Sequence, residues 1–182
     1  MFILTLIVFV SNFAVGQPNI SIHQLQQEQH RNKDNSPVKK VTVLTGLDVL
    51  LSQQVEMIQD KSIALVTNHT GTDKNGIPNY VRLMAIESVN LKVIFSPEHG
   101  LFGEAAAGEK VTYSEKRIDL PMVISLYGKV KKPTKSMLEG IDLILYDIQD
   151  IGARFYTYIS TLGLVMETAG ELNIPIVVLD RP

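Results

Sequence analysis

The segment "IDLILYDIQDIGARFYTYISTLGLVMETAGELNIPIVVLD", residues 141–180, holds two short apolar runs separated by a long periodic one. "IDLILYDI" (141–148) and "IPIVVLD" (174–180) are apolar almost throughout and rich in branched side chains. A strand with one wet face alternates apolar and polar residues, whereas a strand buried on both faces does not, so both runs read as strands of a helix-covered parallel sheet. "RFYTYISTLGLVMETAGELN" (154–173) between them is long enough to be the covering helix.

The same grammar extends toward the N terminus. "GLDVLLSQQVEMIQ" carries apolar residues at 47, 50, 51, 55 and 58, a helical spacing, with Asp48 near its start. "SIALVTN" (62–68), "LKVIFS" (91–96) and "PMVISLYG" (121–128) read as strands. "PNYVRLMAIESV" (78–89) returns to helical period, with Val81, Met84, Ala85 and Val89 on one face, and "TKSMLEG" (134–140) predicts a short helix closed by Gly140. The expected fold is α/β: a Rossmann-like three-layer domain with a mostly parallel sheet. Only 97–120 breaks the pattern, as a long Gly- and Ala-containing connection of the kind that is either functional or disordered.

Upstream of Val41 the chemistry changes. "MFILTLIVFVSNFAVGQ" has an apolar run too short to span a bilayer, followed by small residues, and reads as a secretory signal over 1–16, with a retained anchor as the alternative. Residues 17–40 are rich in Gln and Asn and poor in apolar side chains, so they read as a disordered spacer. The remaining 41–182 can bury one real core. An exported protein, periplasmic or extracellular and without stable membrane insertion after cleavage, is expected. The chain has no cysteine, which removes disulfides and thiolate chemistry, and its net charge of −2 includes no clustered cations that would suit nucleic acid.

In an open parallel sheet, ligands bind beyond the carboxyl ends of the strands. Asn68 and His69 follow the first run, Glu98 and His99 the second, Asp147, Gln149, Asp150 and Arg154 the fourth, and Asp180 with Arg181 the fifth. Of the four histidines, two lie in the spacer and the other two both fall at these ends. Asn68 also suits a turn, Asp147 and Asp150 suit helix capping, Arg154 suits pairing with one of those aspartates, and Tyr156 suits packing. Glu98 resists such readings best, because it follows Ser-Pro, cannot continue the strand and is a poor turn residue.

P-loop, G-x-G-x-x-G and G-x-S-x-G motifs are all missing, so no cofactor is expected and an ordinary α/β-hydrolase is disfavoured. Carboxylate and imidazole chemistry remains. In glycoside hydrolysis one carboxylic acid protonates the leaving oxygen and a second carboxylate acts as base or nucleophile. Glu98 is the candidate acid, with His99, Asp147, Asp150 and Asn68 around it. A divalent metal on His69, His99 and an Asp is the weaker alternative, lacking H-x-H or H-x-x-x-H spacing. A carbohydrate-binding module without turnover is the other.

"IALVTNHTG", "FSPEHGLFGE", "PMVISLYG" and "DIQDIGARFYTYISTLGLVMETAGELNIPIVVLDRP", in this order, resemble the NamZ-like exo-β-N-acetylmuramidases of bacteria. The resemblance implies a Rossmann-like N-terminal domain and a smaller C-terminal one, with the active site between them. It also implies release of terminal N-acetylmuramic acid from the non-reducing end of peptidoglycan fragments. By position, the family's candidate catalytic glutamate falls on Glu98, with Asn68, His69 and His99 in blocks that line the site. Gln149, Arg154 and Tyr156 fall in the block bordering the same pocket, where a cation such as Arg154 suits the lactyl carboxylate of muramic acid. Family members continue past "LDRP", so a C-terminal domain covering part of the site is expected to be missing from this sequence.

Overall fold

A computed structural model describes residues 6–8, 43–103 and 120–181. Six parallel strands form one sheet: β1 (Leu6–Val8), β2 (Lys61–Thr67), β3 (Val89–Ser96), β4 (Met122–Ser125), β5 (Leu143–Asp147) and β6 (Ile176–Val178). Their order is β1-β6-β5-β2-β3-β4. From β2 the chain builds outward to β3 and β4, then crosses back to place β5 and β6 on the other side. The point where direction reverses lies between β2 and β5, and there the crevice at the carboxyl edge opens. The helices are α1 (Gly46–Gln53), α2 (Asn79–Met84) and α3 (Tyr158–Leu172), with 3-10 turns at Val55–Met57 and Lys135–Leu138.

Period two along the strands sorts side chains onto two faces. Ala64, Val66, Val93, Phe95, Ile144 and Tyr146 pack with Val165 and Ala169 of α3. Ile63, Leu65, Leu91, Ile94, Leu143 and Leu145 pack with Leu47 and Leu50 of α1 and Leu83 of α2. Both faces are therefore covered and the three layers are real, which is why β5 is buried at all five positions. Truncating a side chain such as Leu145, fully buried, removes about 2–5 kcal/mol.

The helices depart from the periodic reading in instructive ways. α1 is fixed by a reciprocal cap: Thr45 Oγ1 accepts from the Asp48 N–H at 3.2 Å, and Asp48 Oδ2 accepts from the Thr45 N–H at 3.1 Å. α2 does not bury Val81 and Met84, which are exposed; it buries Asn79 and Leu83, one turn apart. A polar residue takes the inner face there because it has polar partners, described below. α3 begins at Tyr158, four residues later than its period suggests, and ends at Asn173 with φ 55°.

β1 lies in the predicted leader and pairs with β6 at the sheet edge. Cleavage near Gly16 would remove it and leave β6 as the edge. The predicted spacer 17–40 lies outside the described residues, as do residues 104–119 of the long connection after β3. Among the described residues, no helix is long and apolar enough to cross a membrane.

Candidate active site

At the reversal point a polar cluster is sealed beneath the carboxyl edge. Asp147, the last residue of β5, is fully buried. Arg181 grips it with two donors, Nε to Oδ1 at 2.5 Å and Nη2 to Oδ2 at 2.9 Å, and reaches the Thr72 carbonyl at 2.9 Å. Asn79 of α2 adds Nδ2 to Asp147 Oδ2 at 2.8 Å and to Thr67 Oγ1 at 2.7 Å. The Thr67 hydroxyl donates in turn to the Asp147 carbonyl at 2.8 Å. A side chain at Gly71 would collide with the Thr67 hydroxyl and the Asn79 amide, so the loop after β2 closes over the cluster only with glycine there. Both Asp147 oxygens are spent on protein donors, a bidentate arrangement that is strong and directional. Asp147 ties together the ends of β2, β5 and β6 and has no oxygen open to a substrate.

Above this cluster, Asn68 is also buried. Its Oδ1 accepts from the Thr70 N–H at 3.0 Å and the Thr70 hydroxyl at 2.6 Å, and Thr70 Oγ1 accepts from the Gln149 N–H at 2.9 Å. The loops after β2 and β5 are thereby stitched together, Asn68 and Gln149 side by side.

Glu98 belongs to the turn Pro97–Gly100, closed by the Gly100 N–H on the Pro97 carbonyl at 3.2 Å. His99 stands third in that turn with φ 70°. Glycine or asparagine is the ordinary occupant of such a position, and a histidine there holds an unfavourable backbone conformation. Glu98 is half-buried, and its Oε2 accepts from the Thr157 hydroxyl at 3.4 Å. Thr157 is the N-cap residue of α3, yet its side chain makes no capping bond. The hydroxyl expected to close a helix is turned toward the carboxylate instead.

Tyr158 joins these parts. Burial pushes its phenol above the ordinary value, Tyr156 and the charges of Glu98 and Asp150 push the same way, and the Asn68 amide opposes them. Asn68, Glu98, Asp150 and Tyr156 thus all act electrostatically on this one phenol. The Tyr156 ring meets that of Tyr158 edge-on, 5.2 Å between centroids. Burial raises Tyr146 as well, with smaller contributions from Asp150 and Tyr158, and its hydroxyl donates to the Tyr158 carbonyl at 2.8 Å.

Residues 63–182 match the family described as exo-beta-N-acetylmuramidase NamZ, N-terminal. The chain belongs to this family. Peptidoglycan beta-N-acetylmuramidase NamZ of Bacillus subtilis (strain 168) is 44% identical over 149 residues, covering 81% of this chain and 36% of the relative. Two solved structures of DUF1343 family proteins from Bacteroides fragilis NCTC 9343 are similar in fold. One has a TM-score of 0.68 at 45% identity, over 76% of this chain and 34% of its own. The other has a TM-score of 0.62 at 29% identity, over 78% and 35%. The chain thus spans about a third of the length of each of these relatives.

In this NamZ N-terminal fold the residues singled out from sequence do not all meet. Glu98 and His99 share the Pro97–Gly100 turn, Glu98 is joined to Thr157 next to Tyr158, Tyr156 packs on the Tyr158 ring, and Asn68 is tied through Thr70 to Gln149. His69 is exposed, its ring laid against Gly103, where φ is 72° and a side chain would overlap the imidazole, so the loops after β2 and β3 touch there. Asp150 is exposed, and its Oδ1 accepts from the Gly152 N–H at 2.6 Å. Arg154 is exposed too and does not pair with an aspartate among the described residues; that pairing belongs to Arg181, which follows β6 directly and reaches the end of β5 next to it. A cleft of about 190 Å³ lies beside Gln149, Asp150, Ile159 and Arg181. Glu98 does not line it, and Asp150 borders both regions. Among the described residues, no three His, Asp or Glu side chains gather closely enough to hold a metal ion.

Asn79, Thr157 and Tyr158 are given no role at the site by the sequence reading, and Arg181 is collected only as a strand-end residue. Arg181 carried a signal, since it follows a strand directly. The other three sit in stretches of helical period, where nothing local marks them.

Proposed function

We propose that this chain supplies the glutamate-bearing part of an exo-acting muramidase site, releasing N-acetylmuramic acid from the non-reducing ends of peptidoglycan fragments. Glu98 is the general acid that protonates the glycosidic oxygen, and Asp150 is the candidate second carboxylate among the described residues. One observation carries the reading: a half-buried glutamate with one loosely held oxygen, set at a strand end beside a strained His99. Asn68, Gln149 and Tyr156 form the wall that meets the sugar, and the exposed Arg154 is available to the lactyl carboxylate. The remainder of a longer relative would close the pocket from the opposite side. The leader-like N terminus supports export to the compartment where peptidoglycan lies.

The test is release of free N-acetylmuramic acid from a MurNAc–GlcNAc disaccharide. Glu98→Gln should lower turnover about 10²–10⁴-fold while leaving binding of the disaccharide in place. Unchanged turnover in that variant would remove Glu98 from the mechanism. The second reading is a muropeptide-binding module without turnover. Binding of the disaccharide with no sugar ever released would establish it.

A further inference from the structure

Glu98 rides on the loop after β3, and that loop is anchored beyond the turn that carries the glutamate. The Gly100 N–H closes the turn on the Pro97 carbonyl at 3.2 Å. Leu101 is 1% exposed and belongs to the core that holds Leu47 and Leu50. Gly103, with φ 72°, meets the His69 ring: a Cβ there would stand 2.5 Å from Nδ1, 2.9 Å from Cγ and 3.0 Å from Cε1. Carbon atoms in contact keep about 3.5–4.0 Å apart, so the imidazole fills the space that a side chain would take. At Gly76, Gly128 and Gly152, glycines of positive φ as well, that space is open. Glycine at 103 thus serves the backbone angle and the ring at once.

His69 is exposed, yet the backbone beneath it is fixed. Asn68 Oδ1 accepts from the Thr70 N–H at 3.0 Å and the Thr70 hydroxyl at 2.6 Å. The Asn68 carbonyl accepts from the Gly71 N–H at 3.0 Å, and Thr70 Oγ1 accepts from the Gln149 N–H at 2.9 Å. The imidazole is therefore mounted on a turn tied to the loop after β5, and the loop after β3 leans on it. What the contact with Gly103 asks of residue 69 is a flat ring in a fixed place.

Resting on the muramidase reading above, we propose that His69 is a positioning residue whose ring, set against Gly103, fixes the Glu98 turn and so keeps the carboxyl within reach of the glycosidic oxygen. Proton transfer to a leaving oxygen tolerates little misplacement, and a shift of about 1 Å from a change outside the chemistry can cost about a hundredfold.

The test compares His69→Ala, which removes the ring, with His69→Phe, which keeps a flat one. On the MurNAc–GlcNAc disaccharide, His69→Ala should lower kcat by about tenfold or more and leave KM within about twofold. His69→Phe should return kcat to within about threefold of the original, with the pH profile unchanged. Unchanged kcat in His69→Ala overturns the proposal. So does a rise in KM alone, which would make His69 a sugar contact, and so do equal losses in the two variants, which would make the imidazole nitrogens the working part. Hydrogen exchange reads the loop without turnover. The Gly100 amide, which closes the turn, should exchange about tenfold faster in His69→Ala and recover in His69→Phe. If the unmodified chain releases no sugar, the muramidase reading falls by itself and the exchange rates decide whether His69 fixes the turn: an unaltered Gly100 rate overturns it, and a rate raised and then restored establishes it.

Discussion

Asp147 ends β5 and Glu98 lies two residues beyond β3, at the same edge of the same sheet. Asp147 is fully buried and takes hydrogen bonds on both oxygens from Arg181 and Asn79. Glu98 is half-buried, and its one described hydrogen bond is the long one from Thr157. A carboxylate saturated by rigid donors can hold strands together but has nothing left for a substrate. One that is loosely held, beside a strained turn, keeps lone pairs that the protein has not committed. Being at a strand end is thus not enough to assign chemistry; the number of lone pairs already committed separates the clasp from the candidate acid.

The sharpest way to break this distinction is to remove a partner on each side. Glu98→Gln should cost two to four orders of magnitude in turnover and leave the urea midpoint where it was. Arg181→Met leaves Asp147 buried without its cation, and should destabilise the protein by about 3–5 kcal/mol, read as a lower urea midpoint. If Arg181→Met left stability untouched, or Glu98→Gln unfolded the protein, the two carboxylates would have exchanged roles.

Next in size is Asn79. Replacing it by alanine strips a donor from Asp147 and Thr67 and should cost about 1–3 kcal/mol, again with little effect on turnover per folded molecule. A smaller effect, on the other side of the comparison, is expected at Thr157. Thr157→Val removes the hydroxyl on Glu98 and should reduce kcat/KM a few-fold, with Thr157→Ser close to the original. The same change at a working N-cap would cost about 0.5–2 kcal/mol of stability. Because this hydroxyl caps nothing, the urea midpoint should barely move. A large loss of stability would mean that it serves the helix after all.

How far the sequence reaches follows the same division. Strands β2 to β6 were legible because burial on both faces writes an uninterrupted apolar run. Their ends were legible with them, which is how Asn68, His69, Glu98, His99, Asp147 and Gln149 could be collected at one edge. The clasp was not. Asn79 meets Asp147 across 68 positions and Arg181 meets it across 34, and no local period encodes such a partnership. The inner face of α2 was misplaced for the same reason: Val81 and Met84 look like the buried pair until Asp147 and Thr67 supply a reason to bury Asn79. Thr157 and Tyr158 were hidden differently, lying in a stretch whose helical period starts before the helix does.

The smallest expected effect concerns pH and the loop that roofs the clasp. Burial pushes the Asp73 carboxyl up, but the N–H groups of Ile77 and Asn75 and the Arg82 guanidinium outweigh it and hold it below the ordinary value of 3.8. The bonds are short, 2.8 Å from Asn75 and 2.9 Å from Ile77. Because the folded state favours the ionised form, Asp73 stabilises the fold above the unfolded value, and this contribution is lost as pH falls through the lower folded one. The neighbouring Thr72 carbonyl accepts from Arg181, so protonating Asp73 should loosen the clasp rather than the Glu98 turn. Urea midpoints of the protein and of Asp73→Asn, compared from pH 7 down to about pH 2.5, should differ at neutral pH and converge in acid. A gap that stayed constant across that range would mean that the Asp73 charge does not support the roof, and that the clasp is held by Arg181, Asn79 and Gly71 alone.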